Sequence, residues 1–335
     1  DSDEGRLVAN TIFEIKLREQ VFPKDFAVLY RTNAQSRSIE EALRKKNIPY
    51  KIYGGLSFYQ RKEIKDILAY CRLTINPNDE EAFKRVINYP SRGIGNTTLQ
   101  KIIATSNNSN VGIWNLINNL DDFEHNINKG TCKKINEFAL LIKSYISQLN
   151  KYDAYFLAEH IAKSSGVFND LYHDKSPEGV SRFENIQELL NGLKDFCENN
   201  DENLLSHYMR DVALLTNQDN EKKEDFNKVT LMTVHAAKGL EFPYVFVVGL
   251  EQNLFPSLLA NDNQESLEEE RRLFYVAITR AKKRLFLSHT TNRFRWGNYI
   301  FCEPSQFLSE LDEKHIIRKE AEIKKEKKIS RNFNF

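Results

Sequence analysis

The stretch VTLMTVHAAKGLEFPYVFVVGLE, residues 229–251, decides how this chain is read. A strand runs into the polar segment TVHAAKGLEF and a second strand resumes at YVFVVGL. In an open α/β sheet the loops beyond the carboxyl ends of strands are where ligands sit, so residues 233–241 are the first candidate site. Thr233 and Lys238 suit phosphate oxygens, His235 suits a phosphate or a stacked base, and Gly239 lets a backbone approach closely. Glu241 repels phosphate and suits sugar hydroxyls or the orientation of a cation. The same residues also suit a plain surface loop in which Lys238 and Glu241 pair with each other. A P-loop is excluded, because GxxxxGK[ST] needs Gly-Lys before Ser or Thr and the chain has no such triplet.

Working outward, SLEEERRLFYVAITRAKK (266–283) reads as a helix with an acidic start and a basic end, which complement the helix dipole. Glu268 and Arg272 are expected to pair at i,i+4. Leu273, Val276, Ala277 and Arg280 follow helical spacing, so Arg280 leaves the edge of the apolar face at the helix end. There it suits either an arginine finger or a cation that complements the dipole. RLFLSHT (284–290) reads as a further strand.

Upstream, EGRLVANTIFEIKLRE (4–19) places Leu7, Val8, Ile12 and Ile15 near one helical face. DFAVLY is a short buried strand closed by the polar RTNAQSR, SIEEALRKKN is a helix, and PYKIYGG is a strand. Between them and residue 226 the texture is helical, with EIKDILAYCRLTI, CKKINEFALLIKSYISQLN and RFENIQELLNGLKDFCE as amphipathic stretches. The expected fold class is therefore α/β: one domain formed by 1–62 and 226–310, interrupted by an all-helical insertion, 63–225. Residues 311–335 read as a charged tail. Within the insertion, YPSRGIGNTTLQKI (89–102) sets Gly93, Ile94 and Gly95 before a helix beginning near Thr97. That resembles a helix-hairpin-helix turn, which holds a duplex phosphate on backbone N–H groups, although a plain glycine turn has the same residues.

The formal net charge of +1 on 335 residues excludes a uniformly basic nucleic-acid binder but leaves room for a basic groove. Four cysteines stand far apart with no CxxC pair, so neither a metal site nor a disulfide framework is expected, and a reducing, cytoplasmic setting fits. No run approaches the ~18–20 apolar residues of a membrane span. The start, DSDEGRLVAN, has no signal-peptide character and no initiator Met, as expected of a chain that begins inside a larger protein.

VTLMTVHAAKGLEFPYVFVVGLEQNLFPS followed by EEERRLFYVAITRAKKRL resembles motifs V and VI of the UvrD/PcrA/Rep helicases of superfamily 1. FAVLYRTNAQSRSIEEAL and IPYKIYGGLSFYQRKEIKDILAYCRL are similar to the stretches that precede those motifs in the family. The resemblance implies a RecA-like, P-loop-NTPase-type domain without its own P-loop (2A), split by a helical domain (2B). It implies the C-terminal half of an ATP-dependent 3′ to 5′ DNA helicase acting in repair or replication, with ATP and Mg²⁺ held mainly by an N-terminal RecA-like half. It puts Arg280 on the γ-phosphate, and Glu241 and Gly239 on the nucleotide side. It puts Arg31, Asn33, Thr233, His235 and Lys238 toward single-stranded DNA.

An aromatic residue after motif VI belongs to the same set, and Trp296 of RFRWGN takes that place, with Arg293 and Arg295 beside it for phosphates. A buried core Trp would have the same composition. The motif RxEN at Arg182 to Asn185 is also similar to the family pattern and reads as structural. The partners implied are single-stranded DNA, a single-strand/duplex junction, the N-terminal half, and repair proteins or RNA polymerase. No membrane is implied, and the setting is nucleoid-associated. The alternative is a non-enzymatic DNA-binding or protein-docking module.

Overall fold

The computed structural model describes residues 2–218, 226–260, 263–295 and 298–319. The chain opens with α1 (Ser2–Glu19), β1 (Phe26–Tyr30), α2 (Ser36–Lys45) and β2 (Tyr50–Ile52). Among the described residues nine helices follow: α3 (Lys62–Ile75), α4 (Glu80–Val86), α5 (Asn96–Ser109), α6 (Ile113–Asn118), α7 (Lys129–Ile146), α8 (Ala154–Ser164), α9 (Val167–His173), α10 (Pro177–Asn199) and α11 (Leu205–Gln218). The chain then returns to β3 (Val229–Thr233), β4 (Phe242–Val247), α12 (Gln264–Ile278) and β5 (Ala281–Leu287). A hairpin of β6 (Asn292–Arg295) and β7 (Asn298–Phe301) and the short α13 (Gln306–Ser309) come last.

Five strands form one parallel sheet in the order β2-β3-β1-β4-β5. All five residues of β1 are buried, as expected of a central parallel strand covered on both faces. Side chains alternate across it. Phe26, Val28 and Tyr30 join Val8, Ile12, Ile39 and Leu43 of α1 and α2, while Ala27 and Leu29 join Met232, Val245, Phe274 and Ala277 on the face that α12 covers.

The helices α3 to α11 enter the chain between β2 and β3, which are neighbours in the sheet, with Tyr50 beside Val229. They enclose a separate apolar core that includes Ile64, Phe83, Ile102, Phe138, Leu157, Ile161 and Leu189. Their starts are written locally. Asp79, Asn128, Asp153 and Ser176 open α4, α7, α8 and α10 by accepting from the N–H groups of Ala82, Thr131, Phe156 and Gly179, each worth about 1 kcal/mol.

The block is fastened to the sheet by polar contacts. Arg37 of α2, only 1% exposed, donates to Glu188 (2.8 Å) and Asp195 (3.5 Å) of α10 and to Glu41 (3.0 Å). Gly192 makes room for it, since a Cβ there would lie 2.7 Å from the Arg37 Nη1 atom.

Three local expectations are corrected. Leu7 is 42% exposed, and Ala9 takes its place in the buried stripe of α1. The helix of motif VI stops at Ile278, because the chain must swing alongside β4, and its basic end is the first part of edge strand β5. Exposed Lys282, Lys283 and Arg284 on that edge oppose pairing with another chain. Glu268 pairs with Arg271, and Glu269 with Arg272 at 2.9 Å, so the expected Glu268–Arg272 pair is replaced by two i,i+3 pairs. Among the described residues no helix is long and apolar enough to cross a membrane.

Candidate nucleotide and nucleic-acid site

Tyr30 and Thr233 are register partners at the carboxyl ends of β1 and β3, so the loops that follow them lie side by side. In the first loop a 3-10 turn, Asn33–Gln35, is organised by the Gln35 carboxamide oxygen, which accepts from the N–H groups of Arg31 and Thr32, both at 2.9 Å. Arg31 reaches across to α12 and grips Glu270, with Nε 3.0 Å from each carboxylate oxygen and Nη2 2.6 Å from one. Asn33 is exposed, and its carbonyl accepts from Arg61.

In the second loop Thr233 Oγ1 accepts from Ala236 N (3.3 Å), steadying the turn His235–Ala237. His235 is exposed. Partial burial first, and then the Arg31 charge, hold its imidazole below the usual range against the opposing pull of Glu270 and Glu269, so the ring is neutral at pH 7. Among the described residues the exposed Lys238 ammonium has no ion-pair partner. Gly239 sits at φ +85°, in the left-handed region that favours glycine, with open space where a Cβ would be. Glu241 pairs with Lys282 at 3.3 Å, so the alternative pairing with Lys238 does not form.

Arg280 joins this loop to α12. Its Nε donates to the Val276 carbonyl (2.9 Å), Nη1 to the Leu240 carbonyl (3.2 Å) and Nη2 to Thr279 Oγ1 (2.9 Å), while its own carbonyl accepts from Phe242 N (2.9 Å). Among the described residues no carboxylate pairs with it. The guanidinium therefore caps the end of α12 and touches the candidate loop with its charge uncancelled. The carboxyl ends of β1 and β3 thus gather Arg31, Asn33, Thr233 and His235, while the segment through Lys238 and Gly239 crosses to the opposite end of the sheet, where Glu241 and Arg280 stand before the amino ends of β4 and β5.

Other expected residues lie elsewhere. Gly93, Ile94 and Gly95 belong to the turn between α4 and α5 in the helical block, and Thr97 to the first turn of α5. Ile94 is buried and its N–H is taken by Asn88 Oδ1 (3.0 Å), which removes it from the set of free donors. Helix α5 begins at Asn96, and its N-cap Gly95 offers no side chain to the first turn. Thr97 is exposed within that turn.

Trp296 and the side chain of Arg295 lie outside the described residues. Arg293 is a correction. It is 4% exposed and bound to Glu251 (2.5 and 2.8 Å) and Glu4 (2.8 Å), because β6 turns it toward the sheet domain, so it is not available to phosphates. Gly249 N and Ser288 Oγ also donate to Glu4, whose carboxyl is pushed up to about 7 by burial and by Glu251. Asn185 is buried between Arg61 and Glu63, while Arg182 pairs with Glu178.

Glu270 and Gln35 were missed. Glu270 was legible, because Phe274 and Ala277 follow it at i+4 and i+7 and put it on the buried stripe of α12. Gln35 gave no such signal.

Residues 1–292 match the model of the family described as UvrD-like helicase C-terminal domain. Over 317 residues, 93% of its length, the chain is 39% identical to the protein named ATP-dependent DNA helicase PcrA of Leuconostoc citreum. Over the same share it is 37% identical to the proteins of that name from Staphylococcus aureus (strain NCTC 8325 / PS 47) and Staphylococcus epidermidis. It spans 42% of the length of the first relative and 43% of the other two.

Proposed function

The chain belongs to the UvrD-like helicase C-terminal domain family, and from that premise we propose that it is the C-terminal half of an ATP-dependent 3′ to 5′ DNA helicase. Residues 1–62 and 226–310 act as its second RecA-like domain, 63–225 as the duplex-facing 2B domain, and 311–335 as a tail. The observation that carries this is the uncancelled charge of Arg280, poised on neutral oxygens at the amino ends of β4 and β5, close to Gly239 and Glu241. A guanidinium tied only to carbonyl and hydroxyl oxygens exchanges them readily for phosphate oxygens, which bind it more strongly.

The residues fit one side of a nucleotide site. Arg280 turns from Val276 and Leu240 toward the γ-phosphate as the two RecA-like halves close, and there it stabilises charge that develops during transfer. Glu241 accepts from the ribose hydroxyls, and Gly239 allows the close backbone approach. ATP supplies the chemistry when bound, mainly through the half that carries the P-loop and Mg²⁺.

Because Arg280 also holds the Leu240 carbonyl, its movement is felt by the loop that carries Thr233, His235 and Lys238. Lys238 meets a DNA phosphate, neutral His235 donates to the strand or stacks on it, and Arg31 and Asn33 line the same path. Trp296 stacks on a base in this scheme, and the turn from Gly93 to Thr97 touches the duplex ahead. The substrate is a single-strand/duplex junction.

The deciding experiment joins this chain to a P-loop half and measures ATP hydrolysis with and without single-stranded DNA. Strong stimulation supports the motor, whereas DNA binding without hydrolysis leaves a docking or DNA-binding module.

A further inference from the structure

Arg61, immediately before α3, has no part in the scheme above, yet it is only 8% exposed and contacts three separate parts of the chain. Its Nη1 donates to the Asn33 carbonyl (2.9 Å) and to Asn185 Oδ1 (2.8 Å), and its Nη2 to Ser36 Oγ (2.7 Å) and the Leu56 carbonyl (3.5 Å). The guanidinium lies over the Phe58 ring, 5.2 Å from its centroid. All four acceptors are neutral, so what these contacts fix is geometry.

The acceptors belong to elements that have to be kept in register. Asn185 is in α10 of the helical block, and its Nδ2 donates to Glu63 Oε1 at 2.6 Å. Asn33 begins the 3-10 turn on which α10 packs. Gln35 ends that turn and accepts from the backbone N–H groups of Arg31 and Thr32. Hydrogen bonds from α10 through Arg61 to Asn33, the backbone of the turn 33–35, and the bonds of Gln35 therefore lead in sequence to the backbone of Arg31, whose side chain rests on Glu270 of α12. Buried networks of this kind, with every member satisfied, define one arrangement and resist small displacements.

We propose that Arg61 is a positioning residue through which the seating of the helical block sets the shape of the loop 31–35, and with it the grip on single-stranded DNA. This rests on the DNA-motor function proposed above. Movement of α10 withdraws the Asn185 oxygen and lets the Asn33 turn relax. The loop then loses the conformation that presents Arg31 and Asn33 to the strand.

The test uses the intact protein with both halves and two variants. Asn185→Ala removes the acceptor from α10 and leaves Arg61 on Asn33 and Ser36. The double variant Glu63→Gln with Asn185→Asp keeps both bonds, since an aspartate at 185 accepts from Arg61 and from the new amide at 63. In Asn185→Ala, amide hydrogen exchange at Arg31 and Thr32 should quicken about tenfold. The single-strand concentration that half-saturates ATP hydrolysis should rise about fivefold, with kcat at saturation unchanged. The double variant should restore both.

Unchanged exchange at Arg31 and Thr32 overturns the proposal, and so does faster exchange with an unaltered half-saturating concentration. Exchange that rises equally throughout α3 and α10, with a lowered Tm and no rescue, leaves Arg61 a plain structural residue and overturns it too. Failure of the motor function would appear separately, as an absence of DNA-stimulated hydrolysis in the wild-type protein, while the exchange comparison still decides the linkage.

Discussion

Arg31 and Glu270 form a fork beyond the carboxyl end of the central strand β1, with Nε and Nη2 of the guanidinium shared between the two oxygens of a carboxylate that is almost fully buried. Arg31 is thereby held in place and its charge is cancelled within the chain. Glu270→Gln should cost about 2 kcal/mol of stability, in the range of a hydrogen bond to a charged group. It should also release the Arg31 charge toward the DNA path. The plot of log affinity for a single-stranded oligonucleotide against log salt should then steepen by about 0.7, the increment for one more neutralised phosphate. An unchanged slope would show that Arg31 does not face the strand.

Arg280 makes the opposite use of a guanidinium, with its charge left open. In the intact protein Arg280→Ala should lower DNA-stimulated kcat by about 10³-fold or more, the scale of an arginine finger. Single-strand affinity should stay within about twofold. Steady-state hydrolysis and fluorescence anisotropy on the same preparation separate the two effects, and near-normal turnover would end the finger assignment.

Gly239 has a positive φ and no neighbour where a Cβ would be. Gly239→Ala therefore meets no clash and costs only the left-handed backbone, about 1 kcal/mol. Chemical denaturation should register that loss. An equal or raised midpoint would mean that the loop adopts another conformation at no cost.

Glu4 gives stability a pH dependence. Its carboxyl is pushed up to about 7 in the folded chain from an ordinary value of 4.5. The folded state therefore binds more protons than the unfolded state between those values, and stability falls as pH rises through that window. The stability of the wild type relative to Glu4→Gln should decline from about pH 4.5 to 7, by about 3 kcal/mol at most, and level off above. Urea midpoints measured at several pH values test this. A wild-type advantage that grows with pH would show that Arg293 outweighs burial and the Glu251 charge.

Much of the fold was legible because a parallel strand covered on both faces is an uninterrupted apolar run, as FAVLY and YVFVVGL are. The helical texture between the two α/β segments was legible from amphipathic spacing, while caps such as Asp153 and Ser176 were identified only in the structure. The end of α12 was not, since AITRAKK suits a helix as well as a turn into a strand, and the choice is made by β4. Arg293 was misread for a similar reason. Its partners Glu4 and Glu251 are remote in sequence, so no local pattern reports that its charge is already taken. Thr233 to Glu241 could be singled out together because they lie on one short segment, and β1, beside β3, brings Arg31 next to Thr233.

The place where the helical block joins the sheet bears on how the chain folds. The Tyr53 and Val229 N–H groups donate to Leu231 and Pro49, so the outgoing and returning segments are stitched side by side. Among the described residues strand β2 has β3 as its one sheet neighbour, and that pairing spans everything from residue 53 to 228. The entropy of closing so long a loop grows only slowly with its length. A helical block that condenses before the sheet would bring its own ends to adjacent positions, where β2 finds β3 already beside it.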